Sequence, residues 1–316
     1  VIEAADELPR PRSFQLPHGR RLAWYEFGDP GGIPCIYTTG TPTSGLAGGF
    51  YHQSALDAAV RWISLDKPGY GHSDYQRRRR LLDWPEDIAA LTDHLRLEQF
   101  AVAGESGGGP HALALCHRLS SRITVGLLLA GVGPLDDPSA CRGMHRGNRL
   151  MFQLARYAPS LLWWPLVMMR RMLREQVDSQ EDRRPPTARL ASMAPSDRAI
   201  YERREVRQLL SLAGADALSQ GVRAAVEEMT LLARPWGFEL SQIDVPIHLW
   251  HGAEDRSVPV SMARAIAAAL PKSTLHIIEG AGHLVSLGCH SEIMDIIRQG
   301  SKAKGDSARR ELYENR

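Results

Sequence analysis

VAGESGGGPHALAL, residues 102–115, sets a single serine among four glycines, between an apolar run and a helix-like segment. FAVAGE (100–105) has the composition of a buried strand, and PHALALCHRL (110–119) that of a helix with Pro110 in its first turn. Only a few residues remain to reverse the chain between them. Strand and helix must therefore lie close, and side chains at the turn would hold them apart. Gly104-Glu105-Ser106-Gly107-Gly108 fits G-x-S-x-G, a turn that holds a serine hydroxyl out at the end of a strand. The free N–H groups that open the following helix favour negative charge developing at the same place. A glycine-rich turn with an incidental serine is the plain alternative, and the strand-turn-helix context argues against it.

A serine hydroxyl is a weak nucleophile at neutral pH; it needs a base, and the base needs an orienting carboxylate. HGAEDRSVP (251–259) carries Asp255 just past the strand-like VPIHLWHG (245–252). EGAGHLVS (279–286) carries His283 just past the strand-like STLHIIEG (273–280). Alone, Asp255 reads equally as the cap of a helix starting near Val258, and His283 as a turn residue. Together with Ser106 they fall in the order Ser, Asp, His, each at the carboxyl end of a strand, where parallel sheets gather their sites.

Around these loops the first half of the chain alternates strands (21–28, 34–40, 60 onward, 124–131) with helices (82–97, 110–119), the rhythm of a parallel sheet covered on both faces. From about Pro134 to Arg234 the sequence reads as helical and rich in Arg, Met and Leu; the α/β rhythm then resumes, with a last helix near 289–299. GESGGG, DKPGYGHSD, HGAEDRSVP and GAGH together make residues 14–300 resemble the α/β-hydrolase superfamily, in its lid-bearing serine esterase-like branch. The resemblance implies the α/β-hydrolase fold: a mostly parallel eight-stranded sheet flanked by helices, with a helical lid insertion. Expected boundaries are a core in two parts (1–133 and 241–300), the lid (134–240) and a polar, frayed tail (301–316). The resemblance implies Ser106 as nucleophile, His283 as general base and then acid, and Asp255 as its orienter. In that family the turn after the third strand usually reads His-Gly-x-Pro; here it reads Thr39-Gly40-Thr41-Pro42. A backbone N–H needs no particular side chain, so the amides of Thr41 and Gly107 are the expected oxyanion-hole donors. What braces the loop without its histidine is left open. Serine at 106 argues against the dehalogenase and epoxide-hydrolase relatives, which use aspartate there, and Cys116 is too far along its helix to act as a dienelactone-hydrolase cysteine.

The remaining signals are weaker. In YAPSLLWWPLVMMRRML (157–173), Trp163, Trp164 and Met168 are expected to contribute to the substrate pocket, although a stripe at helical spacing more often packs on a core. Trp236 is expected at the pocket entrance or as an anchor of the lid. RRRR (77–80) reads as a solvated face, and His52, His111 and His251 as structural histidines. No HExxH or comparable cluster appears, so no metal and no cofactor are expected. A net charge of +2 gives no overall field for nucleic acid or anionic membrane. No run approaches the roughly 18 apolar residues of a membrane span. Four scattered cysteines without CxxC spacing, and an acidic start without an apolar signal, point to reduced thiols in a cytoplasmic protein. The first residue is not Met, which leaves an upstream segment open. The function expected is a serine hydrolase that cleaves a small-to-medium, largely apolar carboxylic ester through an acyl-enzyme. Thioesterase, acyltransferase, C–C hydrolase or cofactor-free oxygenase chemistry on the same fold, or a slow-turnover ligand sensor, stay open, as do the natural substrate and the oligomeric state.

Overall fold

Strands buried on both faces need no polar alternation, and the two most apolar runs, Phe100–Glu105 and Ile123–Leu129, lie side by side within the sheet. The computed structural model describes residues 8–135, 138–179 and 193–314. Its strands are β1 (Arg12–Gln15), β2 (Arg21–Gly28), β3 (Ile33–Thr38), β4 (Val60–Leu65), β5 (Phe100–Glu105), β6 (Ile123–Leu129), β7 (Ile247–Gly252) and β8 (Ser273–Ile278). They form one eight-stranded sheet in the order β1-β2-β4-β3-β5-β6-β7-β8. The pairs β1–β2 and β2–β4 are antiparallel; every pair from β4 to β8 is parallel. The expected mostly parallel sheet of eight strands is therefore present.

The period of two along each strand sends alternate side chains to two cores. Ile36, Val102 and Leu128 point into one, with Ile88 and Leu113 of the helices α2 (Trp84–His94) and α3 (Gly109–Arg118). Tyr37, Ala103 and Leu127 point into the other, with Ile293 and Ile297 of the last helix. A short helix that the sequence reading passed over, α1 (His52–Asp57), follows β3.

Between β6 and β7 the chain makes a helical insertion: α4 (Arg146–Tyr157), α5 (Trp163–Asp178), α6 (Pro195–Tyr201), α7 (Arg204–Ala217) and α8 (Arg223–Leu232). Its own apolar cluster, with Leu162, Leu166, Ala217 and Val222, closes over Tyr70, Val132 and Val258 of the sheet's upper loops. α9 (Val260–Ala269) and α10 (His290–Glu314) complete the fold. α10 corrects the expected frayed tail, because it continues from the predicted 289–299 through Glu314. Gly300 lets it run against β6, where a Cβ would come within 2.9 Å of Val125, and Lys304 Nζ donates to the Ile123 carbonyl at 2.7 Å. Lys, Ala, Arg and Glu beyond that point sustain a helix. Among the described residues, no helix is long and apolar enough to cross a membrane.

Candidate active site

β5 delivers Ser106 at the carboxyl edge of the sheet's centre. The serine has φ +51°, the left-handed region that a residue with a side chain avoids unless its surroundings impose it. Those surroundings are the glycines. A Cβ on Gly104 would lie 2.5 Å from the Gly108 carbonyl, and one on Gly108 would lie 2.1 Å from that of Thr38. Both are glycine because the backbones of strand and helix pass too close for anything larger.

The hydroxyl meets the two distant loops. Ser106 Oγ lies 3.1 Å from His283 Nε2, and His283 Nδ1 lies 2.7 Å from Asp255 Oδ2. With the carboxylate ionised, Nδ1 carries the proton it donates to Asp255, and Nε2 is left to accept from the serine. Asp255 Oδ1 accepts from the N–H groups of Ser257 and Val258 at 2.7 and 2.9 Å. The turn cap and the histidine partner, alternatives in the sequence, are the two oxygens of one buried group. Burial pushes the Asp255 carboxyl up, but the His283 charge beside it holds it below the ordinary value. Burial likewise pushes His283 down; the Asp255 carboxylate, helped by Glu105 and Asp197, overrides this and raises it to about 9. Asp197, from α6, also accepts from the backbone N–H groups of His283 and Leu284 at 2.7 and 3.0 Å.

The Thr39–Pro42 loop stands against the serine: a Cβ on Gly40 would be 3.3 Å from that of Ser106, and one on Gly107 would be 2.3 Å from Thr41 Oγ1. Among the described residues the Thr41 N–H donates to no protein group. Gly107 lies in the first turn of a helical segment, where N–H groups have no partner within the helix. Thr41 and Gly107 thus lie side by side next to Ser106. Behind the loop lies a group of buried charges. Lys67 Nζ donates to the carbonyls of Thr39 and Gly40, each at 2.8 Å, and pairs with Glu228 of α8 at 2.7 Å, both side chains fully buried. Arg79 approaches the other Glu228 oxygen at 3.9 Å and lies 3.3 Å from His111 Nε2. Burial drives His111 down to about 3, so its ring is neutral. Its Nδ1–H then donates to the Gly107 carbonyl at 3.2 Å, and Nε2 accepts from Arg79.

A family model described as alpha/beta hydrolase fold matches residues 44–288. The chain belongs to the α/β-hydrolase family. Among relatives of this α/β hydrolase is the dihydrolipoyllysine-residue acetyltransferase component of the acetoin cleaving system of Pseudomonas putida, 34% identical over 126 residues. That match takes in 40% of this chain and 34% of the relative, about a third of its length. A thermophilic esterase from Thermogutta terrifontis superposes with a TM-score of 0.65 at 20% identity, covering 93% of this chain and 99% of that one. A bromoperoxidase from Bacillus anthracis superposes with a TM-score of 0.69 at 16% identity, covering 93% and 100%. At these identities the structures share the fold.

Not every expected site residue of the α/β hydrolase joins this group. Trp163, Trp164 and Met168 are 50, 73 and 41% exposed. Leu162 and Leu166 take the buried side of the same stretch, which turns 164 and 168 outward. Trp236 is buried and packs with Phe238, whose ring stacks on His117 of α3, so it holds the return from the insertion onto the core. The basic run also needs correction as a solvated face. Arg79 points inward to Glu228 and His111, while Arg80 pairs with Asp83 at the surface. Sequence reasoning missed Lys67, Asp197 and Glu228, although Lys67 sits inside DKPGYGHSD.

Proposed function

We propose that this α/β hydrolase is a serine esterase that cleaves a small-to-medium, largely apolar carboxylic ester through an acyl-enzyme. The observation that carries the reading is the continuous row from Ser106 Oγ through the imidazole of His283 to Asp255 Oδ2, at 3.1 and 2.7 Å. His283 takes the Ser106 proton as Oγ attacks the ester carbonyl, and the oxyanion accepts from the N–H groups of Thr41 and Gly107. The imidazolium returns its proton to the leaving alcohol, and water attacks the acyl-serine with the same base. An apolar acyl group suits the wall beside the serine, where Leu232 of α8 comes within 3.2 Å of a Cβ built on Gly107.

Ser106→Ala is expected to abolish hydrolysis of a nitrophenyl ester, by up to about a millionfold if the three groups act as a unit. A fluorophosphonate is expected to label the wild type at Ser106 alone. Unchanged turnover by the variant overturns the reading. Turnover in isotopic water with an added acceptor alcohol separates hydrolysis from acyl transfer by the same acyl-enzyme.

A further inference from the structure

The loop that presents Thr41 lacks the histidine its family relatives carry, and the buried Lys67–Glu228 pair stands directly behind it. We propose that Lys67, charge-balanced by Glu228 from the helical insertion, is the positioning residue that aims the Thr41 N–H at the oxyanion. This rests on the proposed role of Ser106. The Gly40 carbonyl and the Thr41 N–H belong to one planar peptide unit and point in opposite directions. Lys67 Nζ holds that carbonyl at 2.8 Å and approaches Thr41 Oγ1 at 3.5 Å, and Thr43 N–H donates to the same carbonyl at 3.1 Å. Fixing the carbonyl fixes the direction of the donor. The Ser106 carbonyl is held in the same manner by Val132 N–H at 2.9 Å, which fixes the Gly107 N–H of the same peptide unit. An ammonium buried this completely keeps its charge only beside a carboxylate. Burial lowers Lys67, and Glu228 opposes that shift. The insertion therefore supplies the charge on which the loop's geometry depends.

The test uses the isosteric Glu228→Gln alongside Lys67→Met. Each is expected to lower kcat by on the order of a hundredfold, the worth of one oxyanion donor, with KM little changed. Because Glu228 acts through Lys67, the double variant should lose no more than Lys67→Met alone. A purely structural role would lower the melting temperature and the fraction of sites titrated by fluorophosphonate, and leave kcat per titrated site unchanged. Wild-type kcat in Glu228→Gln, or additive losses in the double variant, overturns the proposal. If Ser106→Ala itself still turns over, the reading of the site has failed; if Ser106→Ala is dead and Glu228→Gln is fully active, only the brace has failed.

The outer face of α5 supports a second inference, independent of any reaction. Trp164, Met168 and Met172 recur at i, i+4 and i+8 with Val167 and Arg171 between them, all exposed, and Leu161 just before the helix is 60% exposed. Arg170, Arg171 and Arg174 lie on the same helix, and Arg171 is paired with Glu175 at 2.8 Å. Arg170 and Arg174 donate to the neutral carbonyls of Leu218 and Ser219, and among the described residues neither pairs with a carboxylate. We infer that this face docks on an anionic lipid surface, with the tryptophan and methionines entering the headgroup boundary and the arginines meeting phosphates. A second copy of the chain would set the same arginines against each other, and a nucleic acid would leave the apolar stripe unmatched.

Flotation of the full chain with vesicles of phosphatidylcholine, alone or mixed with phosphatidylglycerol, tests this. Binding to the mixed vesicles only, weakening as salt rises, is expected. Leu161→Ser with Met172→Ser should weaken it at least about tenfold, and Arg171→Gln about fivefold, with melting temperatures unchanged. Absence of flotation, equal binding to both vesicle types, or variants that bind like the wild type overturns the inference. So does a stable dimer in sedimentation that the Leu161→Ser, Met172→Ser variant releases.

Discussion

On the proposed mechanism His283 Nε2 has to be neutral to accept the serine proton, yet Asp255 holds the ring well above the ordinary imidazole value, at about 9. A raised value means the imidazolium dominates at neutral pH, and the competent base appears only as pH rises. The kcat/KM profile should therefore ascend through the alkaline range, with its limb above the 6.5 of a free histidine. Asp255→Asn removes the charge that stabilises the imidazolium, so its limb should move to lower pH while the maximum falls by on the order of 10⁴. A limb below 6.5 in the wild type would contradict this account. At this scale the sequence was readable where a turn was local: Ser106, Asp255 and His283 each lie at a strand end, as their loops suggest, and the structure brings them within hydrogen-bond reach. Lys67, Arg79 and Glu228 did not. A charged residue ordinarily reads as solvated, and nothing in RRRR says that Arg79 turns inward while Arg80 does not. Lys67 and Arg79 lie in loops and meet Glu228 on a helix far along the chain, so only folding reveals the group.

The element that decides the site is the β5–α3 crossing, and its tolerance is narrow. Gly108→Ala would put a methyl group 2.1 Å from the Thr38 carbonyl, which is backbone in β3 and cannot rotate away. The expected result is a loss of stability of about 2–4 kcal/mol, read by denaturant unfolding, with residual activity reduced further because Thr38 leads directly into the Thr39–Pro42 loop. Wild-type stability in that variant would mean that strand and helix have more room than the structure gives them. Elements with strong periodicity were legible: β2 to β8 and helices α2, α3 and α9 fall where the apolar runs place them. β1 was not, because RSFQ is four mostly exposed residues at the sheet edge with no buried face to give a pattern. The far half of α10 was not legible either, since polar helix formers look alike in a frayed tail and in a continuing helix.

Over the whole molecule, the insertion and the sheet share one apolar cluster, where Leu162 and Leu166 belong with Tyr70, Val132 and Val258. A cluster that spans two parts of the chain makes them unfold together. Leu166→Ala is expected to cost about 2–4 kcal/mol and to lower a single melting transition, followed by circular dichroism and by tryptophan fluorescence alike. Two separated transitions would show that the insertion is an independent unit. Its helical nature was plain from composition, but its carboxylates' grip on the loops beneath was not. Asp197 and Glu228 each reach a different loop of the site, so the insertion is fastened at both sides of the serine. Finally, 177 residues separate Ser106 from His283 along the chain. A polypeptide emerging from the ribosome therefore displays its hydroxyl long before the imidazole that would arm it has been synthesised. On the proposed chemistry, a truncated or unfinished product is inert toward esters, and activity itself reports that translation has passed the last strand.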